Sequence, residues 1–258
     1  MTKKKHSALY RHIETLQGDR PWGAMLDAGT GANSLRWMSE LATDRWVAVT
    51  GSAREADIAR EAAGSAMRAQ DQLTVGNWAD DQLLAEEVFD TVIADYLVGA
   101  IEGFAPYFQP YLFQRLRPHT SGALYVTGLE PYVPTVRPES RAGQVVWEIG
   151  RFRDACVLMG EGLPYREYPA RWVADHVARS GFSVKSIKHF NIGFKEGFVK
   201  AQIRIALHDL ERLDDPGLQA ALRARGEALQ DRALEIIAEE GALRACRNYV
   251  IAAEVGDG

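Results

Sequence analysis

Short apolar runs recur through the first half of the chain, at residues 23–26, 46–50, 72–75, 89–94 and 122–127. Each reads as a buried strand. The stretches around and between them carry apolar residues at helical intervals: Leu9, Ile13 and Leu16 within 6–17, then Leu35, Trp37, Met38 and Leu41 after the first run. Residues 53–63, capped by Ser52, continue the pattern, followed by a short helical stretch at 80–87 and a segment at 98–116 that Pro106 and Pro110 break. Apolar strands alternating with helices predict an α/β fold with a parallel sheet covered on both faces.

The alternation stops after Glu130. Residues 131–140 contain three prolines and read as a loop. A helix is predicted at 143–160, with Val145, Ile149, Phe152, Cys156 and Met159 as its apolar stripe and Glu148, Arg151 and Asp154 on its other side. Residues 160–164 end it. A helix at 169–179 and a sixth strand at 182–190 follow. Residues 196–213 fit either period, but the helical one runs longer, so a helix is predicted there. Residues 216–240 form a helix, and 247–254 a seventh strand.

The candidate chemistry sits at the end of the first strand, in Asp27-Ala28-Gly29-Thr30-Gly31. Two glycines turn the backbone sharply there and let a ligand touch it. A helix start at Asn33 or Ser34 would aim free N–H groups at that ligand. The dinucleotide fingerprint G-x-G-x-x-G fits only in part, because its third glycine falls on Ser34. The other reading of the turn is a tight connection with no ligand. In a parallel sheet the ligand lies beyond the carboxyl ends of the strands, which puts Asp27, Thr50, Asn77, Asp95 and Glu130 along one rim.

Composition narrows the partners. A net charge of −5 argues against a nucleic-acid substrate. No run approaches the roughly 18 apolar residues of a membrane span. The two cysteines, Cys156 and Cys246, form no metal or redox motif, His6, His12, His119, His176 and His208 show no ligand spacing, and His189 on the sixth strand reads as structural, so no metal is expected and a reducing cytoplasm is the plain setting. Lys3, Lys4 and Lys5 have no apolar run behind them and read as a solvated tail rather than a signal peptide.

Taken together, the Asp27-x-Gly29-x-Gly31 turn, the rim residues and the seven strands resemble the class I S-adenosylmethionine-dependent methyltransferases from about residue 20 to 254. The resemblance implies a Rossmann-like, seven-stranded, mostly parallel sheet that ends in a hairpin-like pair, within a single domain spanning 1–258. Residues 131–168 would be a substrate cap, and 195–243 a helical insertion serving as an accessory or homodimer-forming element. It implies S-adenosylmethionine as cofactor, with Asp27 at the turn and Gly29 and Gly31 against its methionine part. Asn77 would meet the adenine amino group, Trp78 the adenine ring, and Asp95 and Tyr96 both the methionine moiety and the acceptor.

One position departs from the family. Thr50 stands where an acid usually takes the ribose hydroxyls, and Ser52 or Glu55 would have to compensate. Asp95-Tyr96-Leu97 is also not the Asn/Asp-Pro-Pro-Tyr signature of base-amine or glutamine methylation, so the implied acceptor is a small molecule. Glu130, Tyr132, Glu148 and Arg151 are the candidate acceptor contacts, with a solvated helix face as the other reading of the last two. Residues 165–168 either line the cleft or form a surface loop. Phe104, Tyr107, Phe108 and Tyr111 are expected to pack in the core, or else to form an aromatic wall. No motif fixes a general base. Two other functions stay open: a cofactor-binding protein without catalysis, kept open by Thr50, and a nicotinamide-dependent oxidoreductase. A Val at position 29 is expected to block the cofactor while sparing the fold.

Overall fold

A computed structural model describes residues 6–133 and 136–256. Lys3, Lys4 and Lys5, and Pro134 of the proline-rich loop, lie outside the described residues. Seven strands form one sheet: β1 (Ala24–Asp27), β2 (Arg45–Thr50), β3 (Gln72–Val75), β4 (Phe89–Asp95), β5 (Thr120–Leu129), β6 (Phe182–Phe194) and β7 (Leu243–Val255), in the order β3-β2-β1-β4-β5-β7-β6. The pairs from β3 through β5 are parallel, with Asp27 opposite Ala48 and Ile93, Thr50 opposite Val75, and Asp95 opposite Thr127.

The chain divides into two compact units. The first holds the residues up to Leu129, Tyr168–Phe190 and those from Tyr249 on; the second holds Glu130–Glu167 and Asn191–Asn248. In the first unit, successive strand residues go to opposite faces and both faces are buried. Leu26, Val47, Val49, Val92, Ala94, Leu124 and Val126 pack with α4 (Leu97–Ala100), α5 (Leu112–Leu116) and α7 (Ala170–Arg179). Their neighbours Met25, Trp46, Ala48, Ile93, Ala123 and Tyr125 pack with α1 (Ala8–Gln17), α2 (Ala32–Met38) and α3 (Ala53–Ala63). This two-sided burial is why the strands read as continuous apolar runs.

In the second unit α6 (Arg141–Met159), α8 (Glu196–Leu210) and α9 (Pro216–Glu240) pack on one another. Gly226 lets α9 approach closely: a Cβ there would lie 3.1 Å from the Phe152 ring. Asp215 caps α9 by accepting from the Leu218 N–H at 2.9 Å, and Gly241, at φ 78°, ends it in the left-handed region. Residues 196–210 are helical, as the longer period predicts.

Two local expectations are corrected. Residues 80–87 form turns, not a helix. Asn77 Oδ1 accepts from the Ala79 N–H at 3.0 Å and Asp80 Oδ1 from the Gln82 N–H at 2.9 Å, and such side-chain bonds compete with helical pairing. Arg115 Nη2 then collects the carbonyls of Asp80, Asp81 and Leu83 at 3.1, 3.2 and 2.7 Å. The N-cap of α2 is Gly31, not Asn33 or Ser34. Ser34 sits one turn in and its hydroxyl accepts the Gly31 N–H at 3.0 Å, which uses one of the N–H groups the sequence leaves free for a ligand.

Candidate functional site

The carboxyl ends of β1, β2 and β3 are tied to one another beyond the ladder. Thr30 donates its N–H to Val49 O at 2.7 Å and Gly76 to Thr50 O at 2.9 Å. They bound a cavity of about 350 Å³, within the range of small-molecule pockets, which runs from about 300 to 1,000 Å³. Ala28, Gly29 and Thr30 line it from the first strand end, Thr50 and Gly51 from the second, and Gly76, Asn77 and Trp78 from the third. Glu55 of α3 also lines it, while Leu97, Ala100, Ile101 and Phe104 form an apolar wall.

Three glycines shape this cavity, each through the molecule's own packing. A Cβ on Gly29 would lie 2.8 Å from Leu97 Cδ1, one on Gly51 2.5 Å from the Phe104 ring, and one on Gly76 2.4 Å from Leu83 Cδ1. A valine at 29 therefore meets the Leu97 side chain as well as the cavity, so it would strain the packing there. Gly31 has open space around it, with nothing within 4 Å of an added Cβ.

The predicted contacts have these surroundings. Thr50 is 5% exposed and faces the cavity. The Asn77 amide is engaged at both ends: Nδ2 donates to Phe104 O at 2.7 Å, and Oδ1 takes the Ala79 N–H. Trp78 is buried and its indole N–H donates to Ala28 O at 2.6 Å, tying the third strand end to the first. Of the aromatic segment, Phe108 packs against the core, whereas Phe104 is half exposed at the cavity and Tyr107 and Tyr111 are exposed.

Asp27, Asp95 and Tyr96 are not among the cavity-lining residues. Asp27 is fully buried at the end of β1. Its Oδ1 accepts the Gly29 N–H at 3.3 Å, and its Oδ2 makes no hydrogen bond. Burial, with the Asp95 carboxylate nearby, raises this acid to about 7, against the hydroxyls of Ser34 and Thr30 and the Gly29 N–H. Burial also raises Asp95, whose oxygens are held by Tyr10 Oη at 2.7 Å and Thr127 Oγ1 at 2.5 Å. Tyr96 caps α4 in the left-handed region at φ 51°, with its N–H directed at Thr127 O and Oγ1. Sequence reasoning missed Tyr10. It lies on the buried face of an amphipathic helix, and only the fold carries it to Asp95.

The four acceptor candidates lie in the second unit and do not form one group. The Glu130 N–H donates to Arg247 O at 2.9 Å. Tyr132 is buried with its hydroxyl on Arg153. Glu148 is ringed by Arg137, Arg225 and Arg232 at 3.0, 3.0 and 2.7 Å, and these hold its carboxyl below the usual range although burial opposes them. Arg151 is exposed, its guanidinium 4.8 Å from the Trp147 ring centre. Asp154, expected on the same face, is buried. Among the described residues no group of His, Cys, Asp and Glu could hold a metal, and no helix is long and apolar enough to cross a membrane.

No family model matches the sequence, and none of the curated proteins matches it. Solved structures do. YcgJ of Bacillus subtilis aligns with a TM-score of 0.63 at 13% identity, over 98% of this chain and 100% of that one. A coclaurine N-methyltransferase bound to N-methylheliamine and SAH gives 0.52 at 12%, over 96% and 72%. The chain has the class I methyltransferase fold. The cyclase SpnF shares this methyltransferase fold at a TM-score of 0.54 and 14% identity, over 97% of this chain and 81% of its own, so the fold does not by itself name the reaction.

Proposed function

We propose that this protein binds S-adenosylmethionine in the cavity at the ends of β1, β2 and β3 and transfers its methyl group to a small-molecule acceptor. The observation that carries the reading is that cavity: it lies at the strand ends where this fold places a ligand, it has the volume of a small-molecule pocket, and Gly29, Gly51 and Gly76 are among its lining residues. The residues present fit a nucleoside. Thr50 and Glu55, both among the lining residues, offer a hydroxyl and a carboxylate for ribose hydroxyls, and Leu97, Ile101 and Phe104 offer apolar surface for a base and exclude water. When bound, the cofactor supplies an already activated methyl group, so the protein's share is to align the acceptor.

Binding without transfer is the second reading. It draws on Thr50 in place of an acid and on Asp95, whose two carboxylate oxygens are both engaged by Tyr10 and Thr127. Calorimetry with S-adenosylhomocysteine and with NADH tests the cofactor. Binding of the first alone is expected, and binding of NADH alone overturns the proposal. Release of S-adenosylhomocysteine from S-adenosylmethionine in the presence of pooled small amines, phenols and thiols separates transfer from binding.

A further inference from the structure

The first unit contains a second cavity, of about 650 Å³, lined by Gln114, Arg117, His176, Arg179 and Gly181, among others, and by no acid. Its frame is rigid: Leu112, Phe113 and Leu116 of α5 share one buried cluster with Val173 and Val177 of α7. It sits at the amino end of β5, because Arg117 opens the turn Arg117–His119 that leads into that strand. The cavity at β1, β2 and β3 lies at the opposite, carboxyl ends of strands parallel to it.

Two arginines give the second cavity its charge. Arg117 is partly buried and fixed. Its Nε donates to Gly181 O at 3.1 Å and its Nη1 reaches Thr120 O at 3.4 Å, while the guanidinium lies 5.5 Å from the Phe182 ring centre. These partners are carbonyls and a ring, so its positive charge is not neutralised. Arg179 is exposed and makes no hydrogen bond or ion pair among the described residues. Asp175, one turn earlier on α7, pairs instead with Arg171 at 3.6 Å. Asp257 follows Gly256 and lies outside the described residues. The end of α7 opposes an anion only weakly. His176 O takes Ser180 Oγ at 2.8 Å and Ala178 O takes the Gly181 N–H at 3.2 Å, and a helix C-terminus carries about half a negative charge against two guanidinium groups.

We infer that this cavity is a binding site for a small phosphate monoester, with its phosphate held between Arg117 and Arg179. A phosphate dianion matches the two guanidinium groups in charge, and their planar N–H forks match its oxygens in pairs. A carboxylate brings one negative charge and leaves one arginine unmatched. The volume is that of a small-molecule pocket and leaves space for an organic group beside the phosphate. This holds whether or not S-adenosylmethionine binds at the ends of β1, β2 and β3.

The test is proton–nitrogen correlation NMR on the full chain, with phenyl phosphate as probe at about pH 8, where the second phosphate pKa of about 6 leaves it a dianion. Ionic strength is held constant. A Kd on the order of 1 mM is expected for a ligand of this size. Shifts should gather at His176, Gly181 and the Nε–H groups of Arg117 and Arg179. Arg179→Gln removes an exposed side chain, so it spares the fold and should weaken binding about fivefold or more. Arg171→Gln removes the same charge from the same helix away from the cavity, and should leave the Kd within about twofold. Four results would overturn the inference: no shifts at these residues at about 10 mM probe, shifts at Gly29 and Gly31 instead, equal weakening by the two variants, or equally tight binding of sodium acetate.

Discussion

Glu55 and Thr50 both line the cavity, and under the proposed function Glu55 would take the ribose contact for which class I methyltransferases use an acid at the place of Thr50. Loss of a charge-assisted hydrogen bond costs about 1.5–3 kcal/mol, so Glu55→Gln should weaken S-adenosylhomocysteine binding about tenfold or more. Thr50→Asp should weaken binding too, because the new carboxylate meets Glu55. Tighter binding by Thr50→Asp in calorimetry would mean that Glu55 leaves the ribose alone. Gly29 and Gly31 look alike in sequence and separate in the structure. Gly29→Val overpacks against Leu97 and should lower stability by about 1–3 kcal/mol in urea unfolding, whatever it does to the ligand.

At the scale of elements, α1 belongs to the rim through one bond. Tyr10 stacks on Trp37 with ring centres 4.6 Å apart and gives its hydroxyl to Asp95. Burial and Asp95 push that hydroxyl well above its ordinary range, so it remains a donor. Tyr10→Phe leaves a buried carboxylate oxygen without its donor and should cost about 1–3 kcal/mol, read from the urea midpoint. The turns at 79–86 depend on Arg115 in the same way. Arg115→Ala should release the carbonyls of Asp80, Asp81 and Leu83 and speed amide hydrogen exchange there, with β4 unaffected.

For the whole molecule, the buried acids set how stability depends on pH. Asp27 keeps its proton up to about 7 in the folded chain and loses it near its ordinary value of 3.8 when unfolded. Between those values the folded state binds the extra proton, so this group's contribution falls as pH rises and levels off above 7. From pH 5.5 to 8.5 that amounts to about 2 kcal/mol. Wild type should lose stability over this interval, and Asp27→Asn should lose about that much less. Equal losses in urea unfolding would show that Asp27 is ionised throughout.

The sequence by itself determined the sheet and most of its helices. Apolar runs such as 46–49 and 92–94 are legible because both faces of those strands are buried there, so each of these residues carries the signal. It also located the glycine turn, since a close backbone approach needs a missing Cβ. It could not separate Gly29, which receives Leu97, from Gly31, which receives nothing, because that depends on a residue brought in by β4 and α4. The rim positions of Asp27, Thr50, Asn77 and Asp95 follow from strand order alone. Their partners do not: Phe104 for Asn77, and Tyr10 and Thr127 for Asp95, come from distant parts of the chain. Spacing along one helix likewise put Glu148, Arg151 and Asp154 on one polar side, whereas packing buried Asp154 and left Arg151 in water. Local pattern records which face of an element is apolar. Which polar group meets which is settled only when the elements pack, because that pairing is paid for by desolvation of both partners together.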